Sequence, residues 1–438
     1  MALRDMSVSP AAQVSPERSP RGVHAHADTG DLLLSIAALL FENGQTTQQT
    51  KAVVAELGTL LGAQAELFPQ WGELIVRIDE PGGQENHVVS SVPTQVDMRK
   101  VADTMRVLDA VREGRLDEGA ARGEVAAIAR LPPVPTIRFA SFAAAGAVAL
   151  AIIFGAAHWL TLVLVALSAF AGACLRRWLG ARSHNLLVQP LSAALLAGLI
   201  GAAAVHLQLS SVLRLVAVCP CMVLVPGPHI LNGTLDLAHG RMVLGQARLG
   251  FASLVILMIC TGLLAGLWIA QCTLPVSGPS APVPFAFDVL AAGVAVAAYG
   301  TFFSMRWRDL GVPVVIGMLA HACRWVLLAR AGASAETATF VACLVVGVIA
   351  TPVAHRLRLP FAGLAFASVV SMVPGVFVFR MASGLARAVS LGSASAPPLL
   401  DSAIADGSTA LLLIAAMAFG LIIPKLSIEH VWPRFFKQ

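Results

Sequence analysis

Charge is scarce in this sequence. Only 13% of its 438 residues are Asp, Glu, Lys or Arg, where soluble globular proteins carry about 25%. With 57% hydrophobic residues and a mean hydropathy of +0.77, a soluble fold is excluded, and the chain reads as a polytopic α-helical membrane protein. Most of the acidic residues precede about residue 125, so the two parts of the chain face different solvents. Lysine is rarer still, at four of the thirty basic residues. The net charge of +5 comes from arginines in short connections between apolar runs. That is the positive-inside pattern, not a nucleic-acid footprint, so no nucleic-acid partner is expected.

Several chemistries lack their motifs. No GxxxxGK phosphate loop is present, so ATP is not expected to act directly. There is no HExxH and no GxSxG elbow. The seven cysteines show no framework: Cys219 and Cys221 flank Pro220, but no second Cys or His pair stands at zinc-finger spacing. Disulfides, a structural metal and cofactors are therefore not expected, and the thiols read as small buried hydrophobes. Residues 1–28 are rich in Ser, Pro, Ala and Arg without an apolar core. They read as a disordered tail, not a signal peptide.

What is present falls into three parts. Residues 29–132 read as a small cytoplasmic α+β domain. Leu32, Leu33, Ile36, Leu39 and Leu40 follow helical spacing up to Asn43-Gly44. Val53, Val54, Leu57, Leu60 and Leu61 predict a second helix, stopped by Gly62. Short strands are expected at 63–68, 73–78 and 87–92, then helices near 96–112 and 116–129. Its one histidine, His87, has no partnered nucleophile, so catalysis is not expected there. Pro132, Pro133 and Pro135 mark a stiff boundary.

Ten spans of about 20 apolar residues are expected at 139–157, 160–175, 186–205, 212–231, 249–270, 286–304, 311–328, 337–354, 361–383 and 406–424. One set of connections, with the C-terminal tail, holds twelve Arg and Lys residues; the alternate set holds Arg214, Arg330 and Arg387. The richer side is cytoplasmic by this count, which places both termini inside. Five spans on each side of a Pro-rich linker at 273–284 give two membrane halves, 139–271 and 286–425. Five is odd, so the halves enter from opposite faces, as two inverted five-helix repeats.

Val225-Pro226-Gly227 recurs as Val373-Pro374-Gly375, in the fourth span of each half. Proline removes a backbone donor and glycine frees the dihedrals, so each copy breaks its helix. Broken backbone at membrane depth is tolerated only where it lines a cavity or is buried in protein. Paired breaks point to a transporter's substrate site, although packed structural kinks give the same pattern. A freed helix N-terminus suits a carboxylate, such as that of an amino acid. Pro226, Gly227, Pro374 and Gly375 are the candidates that shape the site. His229 and Asn232 follow the first break; His229 fits a ligand, a proton carrier or an ordinary packed histidine. Arg380 lies five residues past Gly375 and fits either a carboxylate ligand or a snorkelling interfacial charge. Coupling candidates are Asp236, Asp288, His321 and Arg324, with Glu336 a further proton carrier. Interfacial or packing roles remain open for each. Gly262 and Gly266 form a GxxxG packing pair.

Taken together these residues resemble the threonine/serine exporter family in its fused form. The resemblance rests on the N-terminal helix pair that contains Gly44, on Pro133–Arg138, on Leu224–His229 running to Asn232-Gly233 and Asp236-Leu237, and on Gly245 with Ala247-Arg248-Leu249. In the second half it rests on Gly317 with His321 and Arg324, on Pro360, and on Val373-Pro374-Gly375 with Arg380. It implies a bacterial plasma (inner) membrane carrier that exports L-threonine and L-serine on the proton motive force. Its partners would be a small amino acid, protons and lipid; a homo-oligomer is left open. Alternatives are export of another small carboxylate such as a dicarboxylate, a passive channel, or a membrane-embedded enzyme using His229, Asp236 or His321.

Overall fold

The computed structural model describes residues 21–431 except 81–82, 157, 184, 208–212, 273–282 and 392–395. Most of the expected tail, most of the interhalf linker, and Arg434 and Lys437 lie outside the described residues.

The N-terminal domain opens with α1 (Arg21–Glu42), which begins inside the stretch read as tail, and α2 (Thr47–Leu60). Gly44 turns the chain between them at φ +93°, a conformation that disfavours a side chain. The Thr46 hydroxyl then caps α2 by accepting from the Gln49 N–H. Strands β1 (Gln64–Pro69), β2 (Gly72–Glu80) and β3 (Gly83–Ser91) form one antiparallel sheet in the order β1-β2-β3. Helices α3 (Met98–Arg112) and α4 (Glu118–Ala129) are capped by Asp97 and Asp117. Leu32, Leu33, Leu40, Leu57, Leu74 and Val101 are fully buried and form a core separate from that of the membrane part.

The membrane part runs α5 (Thr136–Ile153), α6 (Trp159–Gly180), α7 (Val188–His206), α8 (Leu213–Met222), α9 (Gly227–Ala238) and α10 (Met242–Ile269). It continues with α11 (Phe285–Phe302), α12 (Gly311–Ala329), α13 (Ala335–Arg356), α14 (Phe361–Val369), α15 (Gly375–Leu391) and α16 (Ala396–Val431). Among the described residues, eight helices are long and apolar enough to span a bilayer, and two bent pairs would raise that to ten. The bends are 49° between α8 and α9 and 65° between α14 and α15. The final helix extends well beyond the expected 406–424 at both ends.

The two membrane segments repeat one neighbour scheme. Helix α5 packs on α6, α6 on α7 and α7 on α10; likewise α11 packs on α12, α12 on α13 and α13 on α16. The tightest approaches use small residues. A Cβ on Gly262 or Gly266 would sit 2.2 or 2.4 Å from the Leu191 or Leu195 carbonyl oxygen of α7. One on Gly420 of α16 would sit 2.9 Å from the Phe340 carbonyl oxygen of α13. Without a hydrophobic drive between helices in lipid, such close backbone contact supplies the association. Leucines and valines such as Leu167, Leu254, Leu257, Val315, Leu411 and Leu412 remain exposed, as a lipid-facing surface requires.

Candidate functional site

The two breaks meet. A Cβ on Gly227 would lie 1.7 Å from the Phe366 ring of α14, and one on Gly375 would lie 2.9 Å from the Met222 side chain of α8. Each break is thus pressed against the helix on the N-terminal side of the other. Between them is an apolar cavity of about 60 Å³, walled by Val225, Gly227, Val373, Pro374 and Gly375, with Ile259 and Met417.

The freed backbone finds partners. Tyr299 is the only tyrosine in the chain, and it is fully buried in α11. Its hydroxyl donates to the Met222 carbonyl oxygen at 2.5 Å, where α8 ends. The Leu224 N–H donates to Cys221 at 3.0 Å. At the start of α9, the Gly227 N–H turns back to Val225 at 3.0 Å and the His229 N–H to Pro226 at 3.2 Å. At the second break, a 3₁₀ turn at Val370–Met372 closes α14, and Phe377 and Val378 both donate to Pro374. This is the internal satisfaction that non-helical backbone needs inside a membrane.

A polar chain ends beside the second break. His321 of α12 is fully buried. Its Nδ1 lies 2.9 Å from Asp288 Oδ2 on α11, and its Nε2 lies 2.7 Å from Ser371 Oγ. With Asp288 ionised, Nδ1–H donates to the carboxylate and the Ser371 hydroxyl donates to Nε2. Ser371 stands two residues before Val373. Arg324 shares the α12 face with His321 and donates from Nε to Thr339 Oγ1 at 3.2 Å. Sequence reasoning singled out Asp288, His321 and Arg324 but gave Ser371 no role. Its place one turn ahead of the break was the available signal. The order Asp–His–Ser is also that of hydrolytic triads, but here His321 is 0% and Ser371 2% exposed.

The other candidates sit elsewhere. Asn232 Nδ2 donates to the Gly44 carbonyl of the N-terminal domain at 3.1 Å. Asp236 accepts from Thr47 Oγ1 at 3.1 Å and pairs with Arg248 Nε at 3.1 Å and Arg241 Nη1 at 3.2 Å. These residues dock the N-terminal domain onto α9 and α10. Arg380 of α15 is paired with Asp406 of α16 at 3.0 Å, so its charge is already matched inside the protein. Sequence reasoning gave Asp406 no part; it stands at the first residue of the expected last span. The two ion pairs correspond. Each joins the second piece of a broken span to the last helix of its half, with the charges exchanged. Arg248 precedes the close-packed Gly262 by fourteen residues, as Asp406 precedes Gly420.

His229 is buried and meets Phe251 edge-on at 5.2 Å, with Trp71 of the β1–β2 turn behind it at 5.6 Å. It also lines a second cavity of about 520 Å³, of mixed polar and apolar lining, on the face that carries the N-terminal domain. Thr94, Arg176, Arg177, Gln189, Pro226 and Val225 contribute to its wall. Val225 lines both cavities, so the first break is the partition between them. Among the described residues no group of three His, Cys, Asp or Glu side chains is placed to hold a metal ion.

Two breaks facing each other around a cavity, in a chain of eight to ten spans, is transporter architecture. The comparisons agree. The ThrE model of threonine/serine exporters matches residues 31–270, and a second model, Threonine/Serine exporter, ThrE, matches residues 288–427. The chain belongs to the threonine/serine exporter family. A curated relative described as "Probable threonine/serine exporter", from Mycobacterium tuberculosis (strain ATCC 25618 / H37Rv), is 27% identical over 311 residues. That match covers 67% of this chain and 57% of the relative, so the chain spans little more than half of that relative's length. No solved structure matches the chain. The chain is therefore a multi-pass membrane protein of this family, with two breaks, two cavities and a buried polar chain in its membrane part.

Proposed function

We propose that the exporter moves L-threonine and L-serine out of the cytoplasm across the plasma membrane, driven by inward proton flow. The family and the paired breaks support amino-acid export. The observation that carries the coupling is the Asp288–His321–Ser371 chain ending at Val373-Pro374-Gly375.

In the proposed arrangement each bent pair is one span. The ten spans form two inverted five-helix halves, and the N-terminal domain and both termini lie in the cytoplasm. Asp288 then sits near the outer end of α11, and His321 and Ser371 lie deeper. Histidine is the side chain whose ordinary titration falls nearest neutrality, and a buried ionisable group in a span is a functional candidate by default. A proton arriving at Asp288 removes the acceptor of Nδ1–H. His321 then takes the Nε2–H tautomer, with Nδ1 accepting from the Asp288 hydroxyl and Nε2–H donating to Ser371. The added proton stays on Asp288, and the hydrogen bond to Ser371 reverses. That changes the bonding at the second break, the element whose packing against Met222 and the first break must alter for the cavity to change sides. Pro226, Gly227, Pro374 and Gly375 form the moving walls. His229 lines the cytoplasmic vestibule, while Asn232, Asp236 and Arg380 hold the elements around the breaks. Arg324, beside Asp288 and His321, sets the charge that the incoming proton meets.

The test is efflux from cells preloaded with a threonine-containing dipeptide. Efflux faster than in vector-only cells, collapsing with an uncoupler, is expected. His321→Ala is expected to lose at least tenfold of the uncoupler-sensitive rate. No gain over the vector would sink the substrate assignment; efflux indifferent to the uncoupler would sink the coupling. A second reading, export of a dicarboxylate, is favoured by the adjacent Arg176 and Arg177 in the vestibule. Competition of succinate against threonine separates the two.

A further inference from the structure

We infer that Arg176 and Arg177 form a loading site for the carboxylate of the cargo, at the vestibule beside the N-terminal domain and before the breaks. The inference rests on the proposed export of a small carboxylate-bearing molecule.

Both arginines end α6 and line the 520 Å³ cavity. Their faces are occupied by aromatic rings. The Arg176 guanidinium carbon lies 4.9 Å from the Phe302 centroid, and that of Arg177 lies 4.3 Å from the Phe139 centroid. Stacking fixes the planes and leaves the N–H edges for a ligand. Those edges lack partners. Arg176 Nε and Nη1 and Arg177 Nε are buried without a hydrogen bond, and among the described residues neither guanidinium is in an ion pair. The other arginines of the membrane part whose side chains reach the interior contrast with this: Arg248 has Asp236, Arg380 has Asp406, and Arg324 has Thr339. Two adjacent cations with unmet donors, in a cavity of this size, call for an oxyanion.

The position suits loading. Arg176 also walls a small pocket of about 20 Å³ beside the first break, with Pro220, Val223 and Leu224. Ser168 faces the same pocket, and its hydroxyl is buried without a partner. One guanidinium thus borders both the open vestibule and a small, mostly apolar pocket against the break, in which Ser168 is the other polar side chain. A carboxylate held there places the rest of a small amino acid toward Val225 and His229. Serine and threonine each add a hydroxyl that can meet the unpartnered polar atoms.

An acidic lipid headgroup offers the same oxyanion chemistry, so the experiment must separate the two. Wild-type protein in phosphatidylcholine nanodiscs would be titrated calorimetrically with L-threonine and with threoninol, which lacks the carboxylate. Binding of threonine but not threoninol is expected. Arg176→Gln and Arg177→Gln should each weaken threonine at least tenfold, and Arg176→Lys should recover part of that loss. If Arg176→Gln fails to fold, the lysine variant and the threoninol arm decide. Equal affinity in wild type and Arg176→Gln, or equal binding of threoninol, overturns the site. Threonine affinity that falls when phosphatidylglycerol is added, with the fall abolished by Arg176→Gln, assigns the arginines to lipid and also overturns it. A wild type that binds succinate but not threonine would fail the threonine assignment while leaving the carboxylate site standing.

Discussion

At the scale of single residues, the site is held by contacts that tolerate little change. Gly227 is the sharpest case. An added methyl would overlap the Phe366 ring, with the Cβ 1.7 Å from a ring carbon. Overpacking of a rigid aromatic commonly costs about 1–3 kcal/mol. Gly227→Ala is therefore expected to lower the unfolding temperature in detergent and to abolish efflux. Gly227→Ala with Phe366→Leu should restore a substantial part of both; a double variant no better than the single would show that Phe366 is not the obstacle. In the N-terminal domain, burial raises the Glu42 carboxyl above its ordinary value, partly offset by the nearby Ser91 hydroxyl and Lys100 ammonium. Its folded pKa exceeds its unfolded pKa. The stability it contributes is thus complete below the unfolded pKa and is lost as pH rises through the folded one. Glu42→Gln should stabilise the domain modestly at pH 7, with the gain shrinking as pH approaches 4. Thermal melts at the two pH values check this, and a gain that grows on acidification would refute it.

At the scale of elements, the corresponding ion pairs tie each broken span to the last helix of its segment. Asp236 and Arg248 are 2% and 1% exposed at their side chains, whereas Asp406 and Arg380 are 10% and 20% exposed. Breaking a buried pair by neutralising one partner costs about 3–5 kcal/mol, because the other charge is stranded. Replacing both partners with apolar residues is often far milder. Asp406→Asn is expected to destabilise strongly and stop efflux, while Asp406→Leu with Arg380→Met should recover most of the stability. Transport distinguishes the roles: a stable but inactive double variant means that the pair also opens and closes, and an active one means that it only packs. Much at this scale was legible in sequence. The Pro-Gly pairs located both bends because proline and glycine act through local backbone chemistry. The arginine pairing was not legible, because Asp406 lies in a different helix from Arg380, at the first residue of the expected last span, where an acid reads as an interfacial start. Asp288, His321 and Ser371 likewise come from three helices, and only the fold brings them within hydrogen-bond reach.

At the scale of the molecule, the N-terminal domain bridges the two membrane segments. It holds the first through Asn232 to Gly44 and Asp236 to Thr47. It holds the second through the Met98 N–H to the Phe303 carbonyl at 2.9 Å, and through Asp109 and Arg358. That last pair is a two-pronged fork, with Nε at 3.0 Å and Nη2 at 2.7 Å from the two carboxylate oxygens. Arg358 adopts a left-handed φ of +57° to reach it, a strained backbone for a side-chain-bearing residue. The sequence predicted the domain but not this bridge, since its partners are separated by 188 to 249 residues. If export requires the segments to shift against each other, a strap attached to both resists the shift, and the strained fork is the attachment best placed to let go. Asp109→Asn weakens the fork without touching cavity or breaks, and charged hydrogen bonds of this kind are worth about 1.5–3 kcal/mol. Threonine efflux is then expected to rise severalfold, with faster tryptic cleavage at Arg130 beside the proline boundary. Faster cleavage with reduced efflux would reverse the assignment and make the domain a support that the transport cycle needs in place.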